Sequence, residues 1–269
     1  MSRDLDKFYT KASVVQECYQ QLGDLSRFDL LVEPSAGNGA FLPSNTNIAV
    51  KAYDIAPEGA GIQKADFLTL SVAEIVGDSQ SVVTIGNPPF GRNGAKALAF
   101  TKKAMEYSQV VAFILPRSFK KDSVQNKVPC TFDLISSTDL QPQSFLLDGA
   151  SYDVPCVFQI WQRTETPRVK HAVRTTTPLF QFVKPDQAQL TVRRVGVYAG
   201  TAYIETEKSE QSHYFIALPE SSVLSPSEFV ELCNTITWEH NNTTGPRSIS
   251  KGELIEQLEK IWPEKKVDS

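Results

Sequence analysis

Apolar residues recur at helical spacing in Val14, Val15, Cys18, Tyr19 and Leu22, with Thr10 placed to cap that helix and Gly23 to end it. The period then changes. Short apolar runs at 28–33, 48–54, 82–85 and 110–115 predict strands, the first running into Pro34 and the last stopped by Pro116. Helical patterns fall on Ile75 and Val76, on about 96–107, and on a basic segment around 119–125. Strand signals at 131–134, 144–147 and 154–161 predict an antiparallel edge, because the stretch 147–153 suffices for a hairpin and is too short for a helical crossover. Beyond about residue 163 come strand-like runs at 190–198 and 213–218, then helices at 226–238 and 250–262, the second opened by a Ser250/Glu253 capping box. Strand, loop, strand, acid, strand, loop is a doubly wound α/β rhythm.

The loops between these elements carry the chemistry. Val83-Thr84-Ile85-Gly86 leads into Asn87-Pro88-Pro89-Phe90-Gly91, where two prolines without N–H groups force the chain out of a ladder in a stiff, extended form. Asn87 offers a paired acceptor and donor and Phe90 a flat apolar face, a combination suited to a planar amino-bearing group such as a nucleobase. The 28–33 strand ends in Glu33 and enters Pro34-Ser35-Ala36-Gly37-Asn38-Gly39. Two glycines one residue apart either let the backbone approach a ligand or make a tight turn without one. Asp54, ending the next strand, is placed to accept from ribose hydroxyls or to open a surface turn before Pro57. Asp66-Phe67 puts an acid beside an aromatic, a pair suited to an adenine amino group and ring.

Composition narrows the classes without selecting one. The chain has 269 residues, 41% hydrophobic and 22% charged, an ordinary globular balance. No apolar run approaches membrane-spanning length, and Met1-Ser2-Arg3-Asp4-Leu5-Asp6-Lys7 has no apolar h-region, so a protein neither secreted nor inserted is expected. Four cysteines, Cys18, Cys130, Cys156 and Cys233, stand apart with no C-x-x-C pair, as expected for reduced thiols in the cytoplasm or nucleus. His171, His213 and His240 are isolated, and no metal site is expected. The net charge is −4, yet from Arg92 to Lys127 eight basic residues face two acidic ones, and from Arg163 to Arg194 seven face two. These blocks are either phosphate-contacting tracks or solvated faces.

Taken in order, Phe8-Tyr9-Thr10, Glu33-Pro34-Ser35-Ala36-Gly37-Asn38-Gly39, Tyr53-Asp54, Asp66-Phe67 and Asn87-Pro88-Pro89-Phe90 resemble the motifs of S-adenosylmethionine-dependent amino-methyltransferases, most closely the N6-adenine branch that acts on DNA or RNA. The resemblance covers about residues 7 to 165. It implies a Rossmann-like methyltransferase fold, with a mostly parallel seven-stranded sheet and an antiparallel edge hairpin. Residues 1–165 would form the catalytic domain, and 166–269 a C-terminal α+β extension that either takes part in target recognition or merely extends or covers the sheet.

The resemblance also implies roles. Phe8, Tyr9 and Thr10 would close over the methionine end of S-adenosylmethionine, and Gly37 and Gly39, with Pro34 and Ala36 in the same loop, would bracket it near Glu33. Asp54 would hold the ribose, Ile55 would touch adenine, Asp66 would accept from the adenine amino group and Phe67 would pack on its ring. Asn87 and the Pro88 carbonyl would accept the substrate's N–H groups, with Pro89 beside them and Phe90 stacked on the base. A flipped base needs a second aromatic wall. Tyr152 on the hairpin either supplies it or packs the hairpin. Arg92, Lys120, Arg193, Arg194 and Arg247 are candidates for phosphate or base contacts.

The partner implied is nucleic acid, DNA slightly before RNA, with no membrane. Two other functions share the signature. One is N5 methylation of a protein glutamine, whose enzymes usually carry Tyr where this chain has Phe90. The other is a non-catalytic, nucleic-acid-binding partner that keeps the fold.

Overall fold

The computed structural model describes residues 8–147, 149–238 and 247–263. Met1 to Lys7, Asp148 and His240, each part of an expectation above, lie outside the described residues. The chain divides between His171 and Ala172 into two compact units.

The first unit opens with a two-residue strand, β1 (Tyr9–Thr10), and α1 (Ala12–Leu22). Then come β2 (Leu30–Glu33), β3 (Ala49–Asp54), β4 (Ile62–Lys64), α2 (Val72–Val76), β5 (Val82–Gly86), α3 (Ala95–Met105), β6 (Val110–Pro116), α4 (Asp122–Gln125), β7 (Phe132–Asp139), β8 (Phe145–Leu147), β9 (Ala150–Tyr152) and β10 (Cys156–Arg163). Seven strands make one sheet in the order β4-β3-β2-β5-β6-β10-β7. The first five are parallel, and β10 runs antiparallel to both β6 and β7.

The apolar runs form central strands because both faces are covered. Along β6, Val111, Phe113 and Leu115 join the core on one face, with Ile75 of α2 and Ala97, Phe100 and Ala104 of α3. Val110, Ala112 and Ile114 join the core on the other, with Val14, Val15, Cys18 and Leu22 of α1. The strand period of two thus sorts one run between two helical layers.

Several expectations are corrected. Thr10 does not cap α1: the N-cap is Lys11, without a side-chain bond, and Thr10 is buried in β1. Residues 145–147 do not join the edge of the large sheet. They pair with β1 and β9 in a separate sheet ordered β1-β8-β9, so the edge hairpin is β7 with β10. The basic helix around 119–125 shrinks to a 3-10 turn, Arg117–Lys120, and the single-turn α4.

The second basic block is largely spent on internal bonds. Arg163 donates to the carbonyls of Ser108 and Met105, and Arg168 to those of Phe132, Gln125 and Val128. Residues past 163 stay on the first unit, with Thr164 N bonded to Thr131 O and His171 N to Asn126 Oδ1. The division therefore falls a few residues beyond 165.

The second unit is an antiparallel sheet, order β11-β14-β12-β13, made of β11 (Gln181–Phe182), β12 (Leu190–Arg193), β13 (Ala202–Tyr203) and β14 (His213–Ala217). Its core joins these strands to α5 (Pro226–Asn234) and α6 (Lys251–Ile261) through Phe180, Ile216, Phe229, Leu254 and Leu258. The run read at 190–198 stops as a strand at Arg193, because the chain turns at Gly196 and Gly200, both with positive φ. The Ser250/Glu253 capping box is present, and an equivalent one, Ser225/Glu228, opens α5.

Candidate active site

β2 is flanked by β3 on one side and β5 on the other, so successive strands leave in opposite directions and a crevice opens beyond their carboxyl ends. A cleft of about 800 Å³, counting space open to solvent, lies there. Its walls include Phe8, Tyr9, Thr10, Glu33, Pro34, Ala36, Gly37, Asp54, Ile55, Phe67, Asn87 and Pro89, residues the sequence had singled out. Ser35 and Asn38 of the glycine motif join them with no individual role expected of them, as do Ala40, Phe41, Ala65 and Phe100. Asn38 sits between the two glycines and could have been read from that position, whereas Phe100 carries no signal beyond an apolar place on α3. Gly39 and Asp66 stand outside the walls, and Asp66 Oδ1 accepts from Leu68 N at 3.0 Å, capping a short turn.

Asp54 braces the glycine loop. Its Oδ2 accepts from Gly37 N and its Oδ1 from Ala56 N, both at 2.8 Å, which leaves one lone-pair direction on each oxygen for a ligand hydroxyl. Gly37 has φ +51, and a Cβ there would lie 3.7 Å from the Tyr9 ring, so the loop and the β1 arm face each other closely. Tyr9 Oη donates to Glu58 Oε2 at 2.6 Å. Ile55 is 51% exposed at the cleft, an apolar side chain open to a flat partner.

Glu33 is 1% exposed, and burial pushes its carboxyl up to about 8, with the negative charge of Asp54 adding to the shift and the Ser35 N–H opposing it. Gly86 lies against this carboxylate, which a Cβ would overlap.

The Asn-Pro-Pro-Phe loop leaves β5 beside Glu33. Asn87 Nδ2 donates to Thr10 Oγ1 at 3.2 Å and to Phe8 O at 3.4 Å. Asn87 Oδ1 is buried with no hydrogen-bond partner among the described residues. An unmatched buried acceptor costs about 1–3 kcal/mol, so an incoming N–H donor would recover that loss. The Asn87 carbonyl accepts from Ser35 Oγ and that of Phe90 from Lys96 N and Ala97 N, while that of Pro88 takes no bond among the described residues. A second, smaller pocket, lined by Phe8, Asn87, Pro88, Pro89, Phe90, Phe145 and Val154, abuts this loop.

Tyr152 stacks on Phe8, with centroids 5.1 Å apart and planes 9° from parallel. The rings lining the smaller pocket are thus Phe8, Phe90 and Phe145, and Tyr152 is stacked on the first of them. Arg92 is exposed just after the loop, whereas Lys120 is paired with Asp139 at 2.9 Å. Arg193 and Arg194 belong to the second unit, where their Nε atoms bond the carbonyls of Val195 and Gln211. Arg247 is exposed in the same unit.

Strand order and crevice define the class of the first unit: a doubly wound α/β sheet of the Rossmann-like methyltransferase fold. Residues 41–172 match the family of the EDM2 methyltransferase-like domain, a span that holds Asp54, Asp66, the Asn-Pro-Pro-Phe loop and the edge hairpin. No curated protein matches the chain. Among solved structures, the 23S rRNA methyltransferase ErmE is 14% identical, with 62% of this chain and 74% of that chain covered and a TM-score of 0.44. A chain of a type I R-M system is 14% identical, with a TM-score of 0.42, and this protein covers 42% of its length with 58% of its own. A structure concerned with converting a disulfide bond into a thioacetal group during echinomycin biosynthesis is 14% identical, with coverage of 58% and 83% and a TM-score of 0.41. The fold assignment rests on the strand order and not on these distant likenesses.

No helix among the described residues is long and apolar enough to cross a membrane.

Proposed function

We propose that the protein methylates the N6 amino group of adenine in nucleic acid, with DNA favoured over RNA. The observation that carries this reading is the buried, unpartnered Oδ1 of Asn87 beside an open cleft. S-adenosylmethionine, when bound, supplies an electrophilic methyl group on a sulfonium centre. The residues suited to hold it are Phe8, Tyr9, Thr10, Glu33, Pro34, Ala36 and Gly37 at the methionine end, Asp54 at the ribose, and Ile55 and Phe67 at the adenine ring. Gly39, in the same loop, and Asp66, beside Phe67, are assigned supporting parts. Asn87 Oδ1 and the Pro88 carbonyl would each take one N–H of the substrate amine, aiming the nitrogen lone pair into the cleft. Phe90 and Pro89 would pack on the base, with Phe8 facing them across the small pocket and Tyr152 behind it. Arg92 is the exposed cation nearest in sequence for a backbone phosphate, and Arg193, Arg194 and Arg247 are assigned to target contacts by the second unit. Lys120 would have to leave Asp139 to take such a part.

The test is incubation of purified protein with labelled S-adenosylmethionine and matched DNA and RNA oligonucleotides, followed by nucleoside mass spectrometry. N6-methylated adenine nucleoside is expected. Asn87→Ala should lower turnover about 100-fold or more while cofactor affinity measured by calorimetry stays within about threefold, because the lost contact acts on the acceptor. Methyl transfer to a glutamine-containing peptide and to no nucleic acid would replace this reading.

A further inference from the structure

An asparagine amide is nearly symmetric in shape, and turning it by 180° exchanges its donor for its acceptor. At position 87 that exchange would put an NH2 where an acceptor is required. Something must therefore hold Asn87 in one sense. Two oxygens do so from the same side: Thr10 Oγ1 at 3.2 Å and Phe8 O at 3.4 Å from Nδ2. A carbonyl can only accept, so the turned amide would set Oδ1 against Phe8 O and lose the bond.

Both oxygens lie on a braced arm. Tyr9 and Thr10 pair with Leu146 and Phe145, and Lys11 N donates to Ser144 O at 3.1 Å. Lys11 Nζ reaches Ser151 Oγ at 2.8 Å, and the Phe8 ring is stacked on Tyr152. Thr10 is 7% exposed, so water has little access to compete for Nδ2. The helix that follows makes no use of the hydroxyl, since its N-cap is Lys11.

We propose that Thr10 is a positioning residue of the acceptor site: the Phe8 carbonyl, which can only accept, sets the sense of the Asn87 amide, and the Thr10 hydroxyl, accepting from the same Nδ2, holds the amide there, so that Oδ1 and not Nδ2 meets the substrate amine. The arm is thereby a shared part of the two half-sites, lining the cofactor cleft and setting the hydrogen-bonding sense of the acceptor loop. This rests on the reading of Asn87 as acceptor of a substrate N–H, but the orientation can be measured apart from any substrate.

The experiment compares Thr10→Val, which keeps shape and removes the oxygen, with Thr10→Ser, which keeps the oxygen. In NMR spectra of the full chain the Asn87 side-chain NH2 is identified by its loss in Asn87→Asp. Its protons should exchange with solvent about tenfold faster or more in Thr10→Val and at the parent rate in Thr10→Ser. An unchanged exchange rate in Thr10→Val overturns the proposal whether or not the protein methylates adenine. In turnover assays at saturating S-adenosylmethionine Thr10→Val should lower kcat about tenfold, and Thr10→Ser should lower it clearly less. In the Asn87→Asp background either carboxylate oxygen accepts whichever way the group is turned, so Thr10→Val should change kcat less than about twofold there. The same loss in both backgrounds would mark a structural role and overturn the proposal. Absence of methylated adenine with the parent protein, beside the expected exchange result, would overturn the adenine reading alone.

Discussion

Glu33 is a residue whose chemistry is set by the fold and not by its place in the sequence. It ends β2 and is buried: burial is the largest cause and raises its pKa, the Asp54 charge adds to this, and the backbone N–H and side chain of Ser35 oppose it. Its carboxyl stands at about 8 in the folded protein against an ordinary value of 4.5. Below 4.5 both folded and unfolded chains hold the proton, so its contribution to stability is fully present. Between 4.5 and about 8 only the folded chain holds it, and stability falls as pH rises, at most by about 1.4 kcal/mol per pH unit from this one group. Glu33→Gln should flatten that slope. Urea unfolding of both proteins at pH 5, 6.5 and 8 would show it, and parallel pH dependences would contradict the assignment. A ligand ammonium placed beside Glu33 would favour the ionised form, so cofactor binding at neutral pH should release a proton. Calorimetry in buffers of different ionisation enthalpy reads that directly.

At the scale of elements, β5 is set by what its last residue lacks. Val82, Val83, Thr84 and Ile85 are buried, and the last residue of the strand is Gly86, where the Glu33 side chain of the neighbouring β2 occupies the space of a Cβ. Gly86→Ala should cost about 1–3 kcal/mol, as overfilling a packed interior does, and lower the urea midpoint; an unchanged midpoint would mean that Glu33 moves aside freely. The same residue couples the two loops, since displacing Glu33 disturbs both Ser35 of the glycine loop and Asn87 just beyond Gly86. The small β1-β8-β9 sheet works in a comparable way. Its strands are two or three residues long and too short to stand alone, yet they bring Thr10, and Phe8 just before β1, against Asn87, with Tyr152 stacked on Phe8.

At the scale of the molecule, every residue lining the cleft and the acceptor pocket belongs to the first unit. Residues 8–171 expressed by themselves are therefore expected to unfold cooperatively and to bind S-adenosylmethionine with the affinity of the full chain, as measured by calorimetry. A large loss of affinity would show that the second unit contributes to the cofactor site. The charge distribution also changes meaning in three dimensions. Arg163 and Arg168 satisfy backbone carbonyls, Arg174 pairs with Glu259, and Lys120 and Arg117 both meet Asp139, so the count of cations along the chain overstates what is available to phosphate.

The sequence by itself determined the central strands of the sheet and the loops that floor the cleft, because both follow from local rules. Doubly buried strands need continuous apolar runs, glycine loops mark close approach, and an acid at the end of β3 faces the same crevice as the loop after β2. It also determined that a loop begins at Asn87, since two prolines must end a strand. Only the tertiary structure decided which atoms of those residues are free. Asn87 Oδ1 is unpartnered because an arm some eighty residues earlier takes Nδ2, Tyr152 is turned onto Phe8, and Thr10 serves Asn87 instead of a helix. Such pairings join elements distant in sequence, and neither periodicity nor spacing within a segment carries information about them.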